Sequence, residues 1–71
     1  MTKESRKNTA YNYLREAILT WKIHPGSPIV EQEVSDQLSI SRTPVREALK
    51  LLEAEGLVKV IPQRGTFVSE L

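Results

Sequence analysis

Three basic residues, Arg42, Arg46 and Lys50, recur at intervals of four in the second half of this 71-residue chain. At about 3.6 residues per helical turn, this spacing places their side chains on one face of a helix. A planar guanidinium can donate two parallel hydrogen bonds to a carboxylate, to a phosphate or to the O6 and N7 atoms of a guanine. The spacing therefore predicts either a stripe that binds a polyanion or a solvated helix face paired with Glu47 and Glu53.

The composition offers few groups for catalysis or metal binding. The chain has no cysteine and a single histidine, His24, which stands beside Pro25 and Gly26 and is predicted to lie in a loop. Disulfides, thiolate metal sites and histidine clusters are therefore excluded. No nucleophile–base pair, glycine-rich phosphate loop, apolar stretch of membrane-spanning length or secretory signal is apparent. We expect a cytoplasmic, non-enzymatic domain without a metal, a cofactor or a membrane contact.

Apolar periodicity and turn residues predict the elements that must position the basic stripe. A first helix is expected over Thr9–Trp21, with Tyr11, Leu14, Ile18 and Trp21 on its inner face. The other expected elements are a short strand at Ile29–Val30, helices over 31–38 and 42–55, and strands over 58–61 and 66–68. Gly56 suits the left-handed position that follows a helix. The two strands at the end of the chain enclose the turn 62–65 and form a hairpin that must pack on the helices, because a lone hairpin is unstable.

The segment Ser39–Ser41 is predicted to be the turn between the second and third helices, with Ser41 as the N-cap of the third. The order helix, helix, turn, helix, hairpin predicts an α+β fold, a three-helix winged helix-turn-helix with a two-stranded β-hairpin wing. In that fold the third helix enters the DNA major groove, where arginines read base edges. The hydroxyls of Ser41 and Thr43 would then reach the phosphate backbone, and the exposed tip Arg64–Gly65 could approach a narrow minor groove.

The run SRTPVREAL at 41–49, the run LEAEGLV at 52–58 and the wing PQRGTFV at 62–68 resemble the GntR family of bacterial transcription regulators, most closely its FadR-like branch. The resemblance implies that Arg42 and Arg46 contact bases, that Ser41 and Thr43 contact the DNA backbone, and that the wing tip enters the minor groove. It further implies a homodimer, often a repressor, on a pseudo-palindromic operator in double-stranded DNA. A small-molecule effector would bind a separate C-terminal domain.

On this basis the chain divides into a flexible N-terminal arm over 1–8, a DNA-binding domain over 9–69 and, at 70–71, the start of a linker to an effector domain absent from the sequence. Some positions depart from the family pattern. Gln32 stands where similar proteins often have arginine, so its expected DNA-backbone contact is weaker, and Ser39 stands where glycine is common, which predicts a left-handed serine. Lys50 is expected to meet phosphate through its flexible ammonium.

Two other classes of binding protein compete with this interpretation. A winged helix can serve as a protein–protein interaction module without DNA readout, since a fold alone does not fix a function. Such a module would be expected to carry exposed apolar residues at positions 42, 46 and 64, where this chain has arginines. RNA binding is less favoured, because the sequence shows no basic surface interleaved with aromatic residues for stacking.

Overall fold

A computed structural model describes residues 5–70, and it confirms the α+β winged helix-turn-helix. The elements follow the order α1 (Arg6–Leu19), β1 (Pro28–Ile29), α2 (Glu31–Leu38), α3 (Arg42–Ala54), β2 (Val58–Ile61) and β3 (Gly65–Val68). Helix α2 has the predicted bounds, and α3 ends one residue before the predicted Glu55, which forms its C-cap. Strand β3 begins at Gly65, one residue earlier than the sequence pattern predicts.

Helix α1 begins three residues before its predicted start, so that residues 6–8, which were assigned to the arm, are helical. Ser5 is the N-cap, and its hydroxyl oxygen accepts a hydrogen bond of 3.0 Å from the backbone N–H of Asn8. The periodicity of apolar residues does not reach this first turn, but a serine cap stabilises a helix start without apolar contacts. Residues 1–4 of the predicted arm lie outside the described residues.

The other end of α1 also differs from the prediction. The helix ends at Leu19, and Trp21 follows it with a φ of 63°, in the left-handed region. Because the helical turn is broken before Trp21, its ring does not follow Leu14 and Ile18 into the core and is 63% exposed. The prediction that Trp21 lies on the inner face is therefore wrong, whereas Leu14 and Ile18 are buried as predicted.

The wing belongs to a three-stranded antiparallel sheet of order β1-β3-β2, whereas the sequence predicts a two-stranded hairpin and a separate short strand. The segment before α2 supplies the extra strand: Pro28 lies opposite Phe67, and Ile29 lies opposite Thr66. The short strand is thus one residue earlier than predicted, and Val30 is the N-cap of α2 instead. This pairing ties the wing to the start of α2, so that the two can present one surface.

The core lies between α1, the inner face of α3 and the sheet. The largest side chains with almost no exposure are those of Leu14, Val45, Leu52, Val58 and Val68. The inner face of α3 consists of its four buried residues, Val45, Ala48, Leu49 and Leu52. The opposite face of α3 is therefore free to present its basic residues.

Left-handed residues end α2 and follow α3, as predicted. Ser39 has φ 57° and ψ 43°, and Gly56 has φ 81°. The backbone N–H of Ser39 donates to the carbonyl of Asp36 at 3.3 Å, and the backbone N–H of Ile40 donates to the carbonyl of Ser35 at 3.1 Å. The chain can therefore turn sharply from α2 into α3 within residues 39–41.

Candidate nucleic-acid interface

The exposed face of α3 carries the basic stripe. The side chains of Arg42 and Arg46 are each 53% exposed, and Lys50 is exposed one turn further along. Val45 and Leu49 lie buried on the other side of the same turns. The helix is thus anchored by its apolar face, which leaves the arginines directed away from the core.

A carboxylate from the neighbouring helix binds both arginines. Arg46 donates from Nε to Oε2 of Glu31 at 3.3 Å and from Nη2 to Oε1 at 3.2 Å. Arg42 donates from Nη2 to the same Oε1 at 3.2 Å. Neither arginine forms an ion pair with Glu47 or Glu53 within the described part of the chain, so the alternative of a helix face paired with these acids is wrong for the two arginines.

The ion pairs favour the charged forms of Glu31 and Arg46. The hydrogen bonds from Arg46 and then from Arg42 lower the pKa of Glu31, although its partial burial acts in the opposite direction. The hydrogen bond to Glu31 in turn raises the pKa of Arg46. At neutral pH this cluster holds two positive charges and one negative charge, so it remains attractive to an anion.

Each arginine keeps hydrogen-bond donors for an external ligand. A guanidinium has five N–H donors in a fixed planar arrangement. Arg46 uses its Nε side against Glu31, which leaves the outer edge formed by Nη1 and the second hydrogen of Nη2. That edge is the fork that can bond two acceptors of one guanine. Arg42, with one hydrogen bond to Glu31, keeps four donors.

The first turn of α3 adds hydroxyl and backbone donors beside the arginines. Ser41 is the N-cap, as predicted, and its hydroxyl makes no capping hydrogen bond. Thr43 is exposed in the first turn. The N–H groups of a first helical turn have no partner within the helix, and together with hydroxyls they suit a phosphate oxygen.

The wing tip is a tight turn with two left-handed residues. Gln63 has a φ of 66° and Gly65 a φ of 118°, and the N–H of Arg64 donates to the carbonyl of Ile61 at 2.9 Å. A Cβ at position 65 would meet nothing within 4 Å, so backbone conformation rather than crowding favours glycine there. Arg64 and Gly65 are both exposed.

A shallow cavity joins the wing to the helices. It has a volume of about 310 Å³, and its lining includes Glu31, Gln32, Arg42, Arg64 and Gly65. The structure thus brings the wing tip, the start of α2 and Arg42 onto one surface. The other predicted site residues lie outside the lining of this cavity: Ser41 caps α3, and Thr43, Arg46 and Lys50 lie on it.

Gln32 points along its own helix. Its Nε2 donates to Oδ1 of Asp36 at 2.9 Å and approaches the hydroxyl of Ser35 at 3.5 Å. These partners occupy the amide that was predicted to make a weak DNA-backbone contact. The Nε2 group of Gln32 therefore has to exchange an internal hydrogen bond before it can donate to a phosphate.

Glu31 is the residue of this surface that the sequence pattern did not connect with the two arginines. Its position in the first turn of α2 has a sufficient local explanation, because acidic residues are favoured near a helix N-terminus. Its arginine partners are 11 and 15 residues away, so the spacing rules for one helix do not find them. The signal that could have found it is an acid at the start of α2 combined with a helix-turn-helix.

The sequence matches a known protein family and proteins that carry the same kind of domain. The model of the family described as bacterial regulatory proteins, gntR family, matches residues 6–68. An uncharacterized HTH-type transcriptional regulator in an unstable DNA locus of Streptomyces ambofaciens is 43% identical over 67 residues, which are 94% of this chain and 28% of that protein. The HTH-type transcriptional repressor RspR of Escherichia coli K12 is 44% identical over 61 residues, 86% of this chain and 27% of that protein.

A solved structure agrees with these sequences. The crystal structure of a GntR-family transcriptional regulator from Pseudomonas syringae pv. tomato DC3000 superimposes with a TM-score of 0.84 at 35% identity. The match covers 93% of this chain and 28% of that one. The chain is a winged helix-turn-helix domain and belongs to the GntR family of DNA-binding transcription regulators, while its place in the FadR-like branch stays a prediction. It spans little more than a quarter of the length of the curated relatives named above.

Residues 5–70 contain no helix that is long and apolar enough to cross a membrane. The same residues contain no group of three His, Cys, Asp or Glu side chains that could hold a metal ion.

Proposed function

We propose that this chain reads a specific sequence in double-stranded DNA, with α3 in the major groove and the wing tip at the minor groove. Arg42 and Arg46 bind base edges, and Arg64 and Gly65 follow the minor groove. The observation that carries this proposal is the pair of exposed arginines at the start of α3, held in a defined orientation opposite the buried face of the same helix. An orientated guanidinium is what reading a guanine edge requires.

The DNA backbone is bound by a second set of groups. Ser41 and Thr43 offer hydroxyls at the helix N-terminus, and Lys50 offers a flexible ammonium one turn beyond Arg46. Gln32 contributes a weaker contact, because Asp36 already occupies its amide. Contacts of this kind fix the register of the protein on DNA and carry no sequence information themselves.

The wider protein is proposed by analogy with the relatives. The named relatives are transcription regulators, and RspR is a repressor. We infer a non-enzymatic, cytoplasmic regulator that acts as a homodimer on a pseudo-palindromic operator. A small-molecule effector would act through a further, C-terminal domain. The 28% and 27% coverage of the curated relatives leaves room in such proteins for that domain.

The test compares Arg46→Ala with Lys50→Ala. A duplex selected by the chain from a random pool is titrated with each variant, together with its single-base substitutions. Arg46→Ala should lose discrimination at one base pair by about 5- to 150-fold, the range expected for one bidentate contact. Lys50→Ala should weaken all duplexes about equally and reduce the salt dependence by about one phosphate contact.

The fold provides the control for this comparison. Both side chains lie on the exposed face of α3, so neither truncation opens a cavity, and the circular dichroism of both variants should match the parent. If Arg46→Ala ranks every duplex as the parent does, α3 does not read bases through this residue. If the parent selects no sequence at all, the protein–protein interaction module becomes the better interpretation.

A further inference from the structure

We propose that Glu31 is a positioning residue for base reading: it fixes the side chains of Arg42 and Arg46. Its carboxylate thereby increases discrimination between DNA sequences, while its negative charge lowers the affinity for DNA of any sequence. This inference rests on the proposed function, because it requires that the two arginines contact bases. It adds a residue of α2 to the reading site. The carboxylate acts through the arginines and makes no base contact of its own.

The first argument is that Glu31 is held more firmly than the groups it binds. Its side chain is only 22% exposed, compared with 53% for each arginine. It lies in the first turn of α2, where the helix dipole favours an anion, and α2 is anchored by the buried Val34 and Ser35. A fixed carboxylate can therefore orient long side chains that would otherwise sample many rotamers.

The second argument comes from the geometry of the hydrogen bonds. Arg46 meets Glu31 with Nε and Nη2, a two-point contact that sets both the position and the plane of the guanidinium. The contact uses the inner edge and leaves the outer edge for two acceptors. Arg42 shares Oε1, so one carboxylate sets both arginines relative to each other. Preorganising a long side chain improves binding by roughly two- to tenfold for each residue immobilised.

The third argument is that the charge of Glu31 opposes DNA binding in general. A carboxylate at this surface repels phosphates, and non-specific affinity depends on the positive charge that meets them. The positioning effect and the charge effect thus act in opposite directions on two measurable quantities. A residue that only stabilises the fold would weaken specific and random-sequence binding together.

The experiment measures both quantities with Glu31→Gln and Glu31→Ala. The probes are the duplex selected by the parent chain, its single-base substitutions and a random-sequence duplex of equal length, at two salt concentrations. For both variants, affinity for the random duplex should stay equal or rise up to about threefold, because one repulsive charge is gone. The ratio of specific to random affinity should fall by about tenfold, with the loss at the base pairs that Arg42 and Arg46 read.

Glu33→Gln is the matched control. Glu33 stands in the same turn of α2, is exposed and forms no ion pair with either arginine in the described residues. Its substitution removes the same charge without releasing Arg42 or Arg46, so the affinity ratio should change by less than about twofold. Far-ultraviolet circular dichroism of all the variants identifies any loss of fold. If Glu31→Ala unfolds, Glu31→Gln still tests the proposal, because glutamine has nearly the same size and shape as glutamate.

Three outcomes would overturn the proposal. The ratio could remain unchanged in Glu31→Gln, as in the Glu33→Gln control. Both affinities could fall in equal proportion, which indicates a structural role. Discrimination could be lost at a base pair that neither arginine reads, which means that the carboxylate itself contacts a base. Arg46→Ala in the same series separates base reading by Arg46 from positioning by Glu31. If Arg46→Ala loses discrimination and the Glu31 variants keep it, base reading stands and positioning fails. If Arg46→Ala keeps the parent ranking of duplexes, base reading through Arg46 fails.

Discussion

Truncation of Leu52 to alanine should remove most of the stability of this domain. The Leu52 side chain has no solvent exposure and lies on the α3 face opposite the arginines, in contact with the core. The substitution removes three carbon atoms from a closed core, which costs about 2.4 kcal/mol in transfer free energy at about 0.8 kcal/mol for each methylene. The cavity that remains adds to this loss, and the expected total is about 3–4 kcal/mol.

That loss is comparable to the whole stability of a domain of this size. A core in so short a chain rarely supplies more than about 3–5 kcal/mol of net free energy of unfolding. Leu52→Ala should therefore leave a substantial unfolded fraction at 25 °C. It should also abolish DNA binding, although Leu52 is on the far side of α3 from the proposed interface.

The neighbouring residue offers a matched control. Leu51 lies on the same helix but is 42% exposed, so Leu51→Ala should cost about 1 kcal/mol or less. Alanine and leucine have similar helix propensities, so propensity contributes little to either change. Urea unfolding followed by far-ultraviolet circular dichroism measures both variants.

With a urea dependence of about 1 kcal/mol per molar for a small domain, the midpoint should fall by about 3 M for Leu52→Ala and by less than about 1 M for Leu51→Ala. Equal shifts in the two variants would refute the assignment of the buried face of α3. The outward orientation of the arginines would then also be refuted, because the orientation of α3 about its own axis determines both which residues are buried and which are exposed.

Three further predictions concern the wing, the turn after α3 and the effect of acid. Arg64→Ala should weaken binding to most duplexes, most of all those with A·T-rich flanks, because narrow minor grooves attract arginine; an unchanged affinity and salt slope in titrations would contradict wing contact. Gly56→Ala should lower the free energy of unfolding by about 1–2 kcal/mol, because φ is 81°; crowding adds nothing, since no atom lies within 4 Å of an added Cβ. Thermal melting should show a smaller loss for Gly56→Asn than for Gly56→Ala, because asparagine tolerates the left-handed region better. Because the pKa of Glu31 is lowered in the fold, its contribution to stability is present above the unfolded pKa of about 4.3 and is lost as the pH falls through the folded value. The difference in unfolding free energy between the parent and Glu31→Gln should accordingly shrink below about pH 4, and a difference that stays constant through acid titration would contradict this.

The sequence predicted the helix-turn-helix well because local rules determine it. The spacing of Val45, Leu49 and Leu52 defines one face of α3, and burial of these side chains requires no information beyond the helix period. Gly56 was expected in the left-handed region from the preference for glycine after a helix, and its φ is 81°. The left-handed Ser39, with a φ of 57°, was expected from the resemblance, because glycine is common at this position in the family.

The errors occurred where contacts between distant segments decide the structure. The short strand is Pro28–Ile29 instead of Ile29–Val30, because pairing with β3 sets its bounds and a two-residue strand has no periodicity of its own. The first turn of α1 depends on the cap at Ser5 and contains no apolar residue to continue the pattern. Trp21 fits the helical spacing, but the helix ends at Leu19 and the backbone turns its ring outward.

The Glu31 cluster shows why the functional surface is harder to predict than the fold. A turn of three residues, 39–41, joins α2 to α3 and brings the start of α2 close to the first turns of α3. Only this arrangement places a carboxylate against Arg42 and Arg46, which are equally exposed and carry equal charge. Sequence alone identifies the arginines as groups that can bind guanine, phosphate or carboxylate. The neighbouring helix decides which guanidinium edge is already occupied, and therefore which edge each arginine has left for an external ligand.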